Sequence, residues 1–120
     1  MDEIVVLITV ASNEEAMSLG KILVEKKLVA CANVIPNVSS IFQWNGDIKQ
    51  ERECLMILKS RMGIFKTLED TVKAHHSYDV PEIIALSIAK GSSEYLSCCY
   101  RASRGACVVR ECTQGRRRLG

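Results

Sequence analysis

The chain has 120 residues, 48% apolar and 25% charged, which is the composition of one folded domain with a sizeable core rather than a disordered or fibrous chain. Aromatics at 5% argue against a base-stacking surface. The net charge of +2 is uneven: residues 1–96 carry ten Lys/Arg against thirteen Asp/Glu, and residues 97–120 carry six Arg against Glu111 alone. A basic tail can hold nucleic acid or an acidic surface. Solvation of the tail is the favoured reading, so nucleic acid is not expected as a partner. The Ile4–Ile8 run is too short to cross a bilayer, and Asp2 and Glu3 stand where an export signal needs basic residues. No membrane contact and a cytoplasmic location are therefore expected.

The β-branched run from Glu3 to Ala11 predicts a central strand covered on both faces. Ser12 with Glu15 three residues later is a capping-box pattern that opens a helix. Ala16, Leu19, Leu23 and Lys27 mark one face of it, and Gly20 allows close packing on a sheet. Cys31 to Gln43 reads as a second strand, and Pro36-Asn37 predicts a bulge or an edge position within it. Trp44-Asn45-Gly46-Asp47 is a hairpin turn. On the return strand, Ile48 to Ser60, Cys54, Met56 and Leu58 take one face, and Leu55, Ile57 and Lys59 the other. The half of this hairpin near the turn is polar on both faces, so it projects as an arm whose edges call for a partner strand. Gly63 to His76 predicts a second helix with Ile64, Leu68 and Val72 on one face. Ile83 to Ile88 is a buried strand, Gly91-Ser92-Ser93 opens a third helix, and Ala106 to Cys112 is a candidate short strand. The order β-α-β-β-α-β predicts an α+β, ferredoxin-like sandwich with a long hairpin arm. Residues 1–112 form one domain and 113–120 a basic tail.

The six cysteines contain no CxxC spacing, so a structural zinc site is poorly supported. Reduced, buried thiols are the expectation for Cys31 and Cys54.

Three segments resemble the CutA family of divalent-cation tolerance proteins. Leu28-Val29-Ala30-Cys31-Ala32-Asn33-Val34-Ile35-Pro36 is similar to the family's L-A-A-C-V-N-x-I-P. Ser40-Ile41-Phe42-Gln43-Trp44-Asn45-Gly46-Asp47-Ile48 is similar to S-I-Y-x-W-x-G-x-I. His76-Ser77-Tyr78-Asp79-Val80-Pro81-Glu82-Ile83-Ile84-Ala85-Leu86 is similar to H-P-Y-E-V-P-E-I-I-A-L. The resemblance runs over residues 3–97. It implies a homotrimer of PII-like architecture, a binding role in divalent-metal tolerance with copper foremost, and no established catalysis. Ser77 replaces the usual Pro, which is expected to loosen the turn after His76, and the pattern departs after Leu96.

The resemblance also points to a metal site at His75 and His76, accompanied in relatives by a first-strand Cys whose position is Ile8 here. Imidazole suits copper(II) or another divalent cation. The alternative is that His76 hydrogen-bonds at a subunit boundary while His75 is solvated. Cys31 is a possible thiol ligand, or a buried small hydrophobe. Trp44 is expected at a subunit interface rather than in a ligand box. Glu53, Lys59, Tyr78 and Glu82 match positions near an intersubunit cleft, where they would hold a small polar ligand or form an interfacial hydrogen-bond network. No organic cofactor and no catalytic constellation are indicated.

Overall fold

The computed structural model describes residues 2–103. The elements are β1 (Glu3–Val10), α1 (Asn13–Glu25), β2 (Cys31–Trp44), β3 (Asp47–Arg61), α2 (Phe65–His75), β4 (Ile83–Ser87) and α3 (Ser93–Ala102), with a 3₁₀ turn at Met62–Ile64 leading into α2. The sheet order is β2-β3-β1-β4 and each neighbouring pair is antiparallel. β1 and β2 thus run parallel with β3 between them, the split βαβ arrangement of ferredoxin-like folds. The expected α+β fold and element order are present. The expected strand Ala106–Cys112, Cys107, Cys112 and the 113–120 tail lie outside the described residues.

The core forms where the period of two in the strands meets the helical stripe. Ile4, Val6, Ile8 and Val10 of β1 and Cys54, Met56 and Leu58 of β3 face Ala16, Leu19 and Leu23 of α1 and Leu68 and Val72 of α2, all buried. Gly20 lets α1 close down on the sheet, since a Cβ there would already touch the Ala32 Cβ at 3.4 Å. Lys27 does not extend the buried stripe. α1 ends at Glu25, and Lys27 turns left-handed at φ 59°. The Leu28 N–H then donates to the Leu23 carbonyl and the Lys27 N–H to the Val24 carbonyl, both at 3.0 Å, closing a Schellman cap with Leu28 packed inside.

The second sheet face departs from expectation. β1 is central, but only its helix-facing side is fully covered. Val5, Leu7 and Thr9 are half-buried, and across the ladder they sit in rows with Lys59, Ile57 and Leu55 of β3. The rows continue onto β4, whose Leu86 and Ile84 are 50% and 46% exposed. The physical reason is the supply of cover: α1 and α2 both lie on the first face. α3 lies against β1 and β3 with Leu96 and Cys99 buried, and meets the second face at Arg61, which donates to the Ser103 carbonyl at 2.8 Å and lies over the Tyr100 ring at 5.2 Å.

Within β2 the register slips between Ile35 and Val38, which oppose Leu55 and Glu53, so one extra residue is accommodated at Pro36-Asn37. Asn37 takes φ 60°. This is the expected bulge, and it sits on the edge strand that a proline requires. The bulge exchanges the two sides of β2, so Val38, Phe42 and Trp44 continue the half-covered face along the arm. Asn45 and Gly46, at φ 51° and 84°, form a two-residue turn of the I′ kind between paired Trp44 and Asp47. Trp44 and Ile48 at its tip are 60% and 76% exposed.

Candidate functional site at the end of helix α2

α2 stops at His75 because His76 swings to extended backbone (φ −91°, ψ 141°). The two histidines then part. His75 is exposed, and its Nδ1 donates to the Thr71 carbonyl one turn back at 2.9 Å. The His76 side chain is fully buried. Its Nε2 lies 2.8 Å from the Thr9 carbonyl, on the stretch of β1 beyond the reach of β4. A carbonyl accepts only, so Nε2 carries the proton. Nδ1 in turn accepts the Tyr78 N–H at 3.0 Å. These two backbone partners specify the Nε2–H tautomer, with the Glu15 carboxylate 3.6 Å from Nδ1.

The loop after His76 is held from two further directions. The Ser77 N–H and hydroxyl both donate to the Glu15 carboxylate, at 3.2 and 2.7 Å. The Tyr78 hydroxyl donates to Glu53 Oε2 at 2.6 Å, and its ring lies 4.8 Å from the His76 ring. Glu53 is buried, and this hydrogen bond satisfies one of its oxygens. Partial burial raises the Tyr78 pKa above the ordinary phenol value, reinforced by the Glu53 hydrogen bond and by the nearby carboxylates of Glu53, Glu51 and Glu15.

Two sequence expectations change here. The Ser12 hydroxyl does accept the Glu15 N–H at 3.1 Å, but the Glu15 side chain turns to Ser77 instead of closing the capping box. Ser77 tightens the turn rather than loosening it, because its N–H and hydroxyl are two donors that a proline lacks. The sequence motifs do not mark Glu15, Ser77 or Thr9 as site residues, yet all three hold this loop. Glu15 three residues after Ser12 was a visible signal, but a carboxylate there has two possible destinations and only the fold selects one.

The structure gathers Glu53, Tyr78 and His76, and disperses the other candidates. Lys59 shares a face of β3 with Glu53 but lies six residues away, about 20 Å along the strand. Lys59 and Cys31 both donate to Asn33 Oδ1, the thiol at 3.7 Å, in a separate cluster on the second face. Glu82 is exposed at the entrance to β4, and Trp44 is at the arm tip.

A two-histidine cation site needs two imidazole lone pairs aimed at one point. His76 supplies none while its backbone bonds stand, and His75 supplies one, on Nε2. Cys31 pairs through Lys59 with the Val5 row, four residues along β1 from Thr9 and two strands across, so roughly 13 Å by 10 Å of sheet separate Cys31 from Thr9, the partner of His76. Ile8 supplies no donor atom. Among the described residues, no three His, Cys, Asp or Glu side chains are grouped to hold a metal ion. The donors present do not fit a His75–His76 chelate in this fold.

No helix among the described residues is long and apolar enough to cross a membrane. The sequence profile described as "CutA1 divalent ion tolerance protein" matches residues 4–101, four residues beyond the stretch that carried the motif resemblance. "Divalent-cation tolerance protein CutA" of Thermus thermophilus is 48% identical over 94 residues, which are 78% of this chain and 91% of that protein. "Protein CutA, chloroplastic" of Arabidopsis thaliana is 42% identical over 93 residues, and the aligned stretch spans 51% of that relative's length. The solved "Periplasmic divalent cation tolerance protein CutA" from Archaeoglobus fulgidus superposes with a TM-score of 0.82 at 40% identity, covering 85% of this chain and 99% of that one. The matching order β-α-β-β-α-β, the three linked motifs and these likenesses agree, and the chain belongs to the CutA1 divalent ion tolerance family.

Proposed function

We propose that this chain works as a homotrimer in divalent-cation tolerance, as a binding protein rather than a catalyst, with copper(II) as its ion. The observation that carries the assembly is the second sheet face. Its apolar rows at Val5, Leu7, Ile57, Ile84 and Leu86 continue past the bulge to Phe42 and Trp44, and among the described residues Ile84, Leu86 and Trp44 are left exposed. An apolar surface of that extent, next to sheet edges at β2 and β4 that no described strand pairs, calls for copies of the same chain, and cyclic closure stops growth at a defined number. The metal part is supported by the family's divalent-cation role and by the solvent-facing Nε2 of His75, one per subunit. A cytoplasmic site of action suits the reduced thiols of Cys31 and Cys54.

Native mass spectrometry of untagged protein, combined with elemental analysis, tests both parts. The expected result is a trimer that takes up copper and loses most of it on His75→Ala. Monomer alone at micromolar concentration refutes the assembly. Equal copper content in the His75→Ala protein, with Cys98, Cys99, Cys107 and Cys112 all changed to Ser, refutes the histidine contact. A second reading, sensing of a small polar ligand, is favoured by the buried Glu53 carboxylate and its Tyr78 partner. Ligand uptake that survives metal stripping selects it.

A further inference from the structure

We infer that His76 is a tautomer-locked positioning residue that fixes Tyr78 against Glu53, and that it is not a metal ligand of the folded protein. Four observations carry this. The side chain is fully buried. Nε2–H donates to the Thr9 carbonyl at 2.8 Å, filling a backbone acceptor that β4, ending its pairing at Ile8, leaves over. Nδ1 accepts the Tyr78 N–H at 3.0 Å, the two-residue spacing of an Asx turn with an imidazole in place of a carboxamide. The Tyr78 hydroxyl then reaches Glu53 Oε2 at 2.6 Å.

Each nitrogen is thus committed. Ligation through Nδ1 would orphan the Tyr78 N–H. Ligation through Nε2 would require the other tautomer and would orphan the Thr9 carbonyl. Either orphan carries a cost beyond the lost hydrogen bond, because a part-buried backbone group left unpaired bears part of its desolvation penalty. The role left for His76 is to set where the loop turns. The Ser77 clamp on Glu15 and the tilted His76–Tyr78 ring pair hold the same turn from its other sides. The result is a short chain of contacts from the end of β1, through the ring, to a buried carboxylate on β3.

The inference does not depend on the copper reading, and one experiment separates the two. The full-length chain, ¹⁵N-labelled in its histidines, is titrated at neutral pH with zinc(II), a diamagnetic ion that takes imidazole, while the ring nitrogen signals are read. His76 is expected to show a protonated Nε2 and an unprotonated Nδ1 before and throughout the titration. A His76 with the proton on Nδ1, or with either nitrogen moving to a metal-bound position as zinc is added, overturns the inference. If His75 also fails to move, the copper reading falls and the His76 assignment stands. A second arm follows amide exchange at Tyr78. His76→Ala is expected to speed it by about tenfold or more, because the amide loses its acceptor. His76→Asn is expected to restore much of the protection, because its Oδ1 can sit where Nδ1 was. Unchanged Tyr78 exchange in His76→Ala also overturns the assignment. If that variant does not fold, the tautomer reading on the parent chain decides.

Discussion

Trp44→Ala tests whether the arm is covered by other copies of the chain. The indole lies at the tip of the β2–β3 hairpin and is 60% exposed in the single chain. A tryptophan offers up to about 250 Å², so roughly 150 Å² remains to be covered by assembly. At about 25 cal/mol per Å², that area is worth 3–4 kcal/mol per subunit, or a factor of several hundred in each subunit's contribution to the assembly constant. In a domain of this length such a loss lowers Tm by on the order of 10 °C. The part of the ring already covered within the chain is common to both readings, so the assay must report on assembly. Native mass spectra and melting curves are taken over a dilution series from micromolar to nanomolar protein. The expected result is dissociation at higher concentration in the variant, with a Tm that falls with dilution more steeply than the parent's. Identical mass distributions at every dilution, with Tm unchanged to within about 2 °C, would show that Trp44 stays in water and would refute the argument from the half-covered face.

Gly46→Ala should destabilise by about 1 kcal/mol, read as a shifted urea midpoint. A Cβ there meets nothing within 4 Å, so only the backbone at φ 84° opposes it. Ser77→Ala should lower stability by about 0.5–1 kcal/mol through loss of the hydroxyl bond to Glu15, and Ser77→Pro should cost more, since the Ser77 N–H bond goes as well. Equal stability of all three proteins would show that the clamp contributes nothing. Tyr78 governs the alkaline limb. A phenol kept neutral in the fold and free to ionise when unfolded adds stability below its ordinary pKa of about 10, and that stability is lost as pH rises from there toward the raised folded value. Urea midpoints followed from neutral pH upward should fall less steeply above about pH 10 in Tyr78→Phe than in the parent.

Much of the fold follows from local pattern. The β-branched run of β1, the Ser12 cap, the Asn45-Gly46 turn, the Pro36-Asn37 bulge and the apolar stripe of α2 each have one economical backbone solution, and the structure adopts it. The family motifs are equally local, which is why they could be matched in order along the chain. What the sequence alone could not decide is where long-range polar side chains end. Glu15 reads as half of a capping box, yet its carboxylate goes to Ser77, sixty-two residues away, because the fold brings the end of α2 beside the start of α1. Adjacent His75 and His76 read as a chelating pair. The helix ends between them, sending one ring to the Thr71 carbonyl and the other to that of Thr9. Lys59 and Glu53 share one strand face, but six residues of extended chain keep them apart. The reach of a side chain is a few ångströms, and the partners within that reach are set by strand register and helix ends. Hydrophobic periodicity specified which face of each element is buried. Only the assembled sheet decided that α1 and α2 both cover the same side, leaving Leu86 and Trp44 on the other side exposed among the described residues.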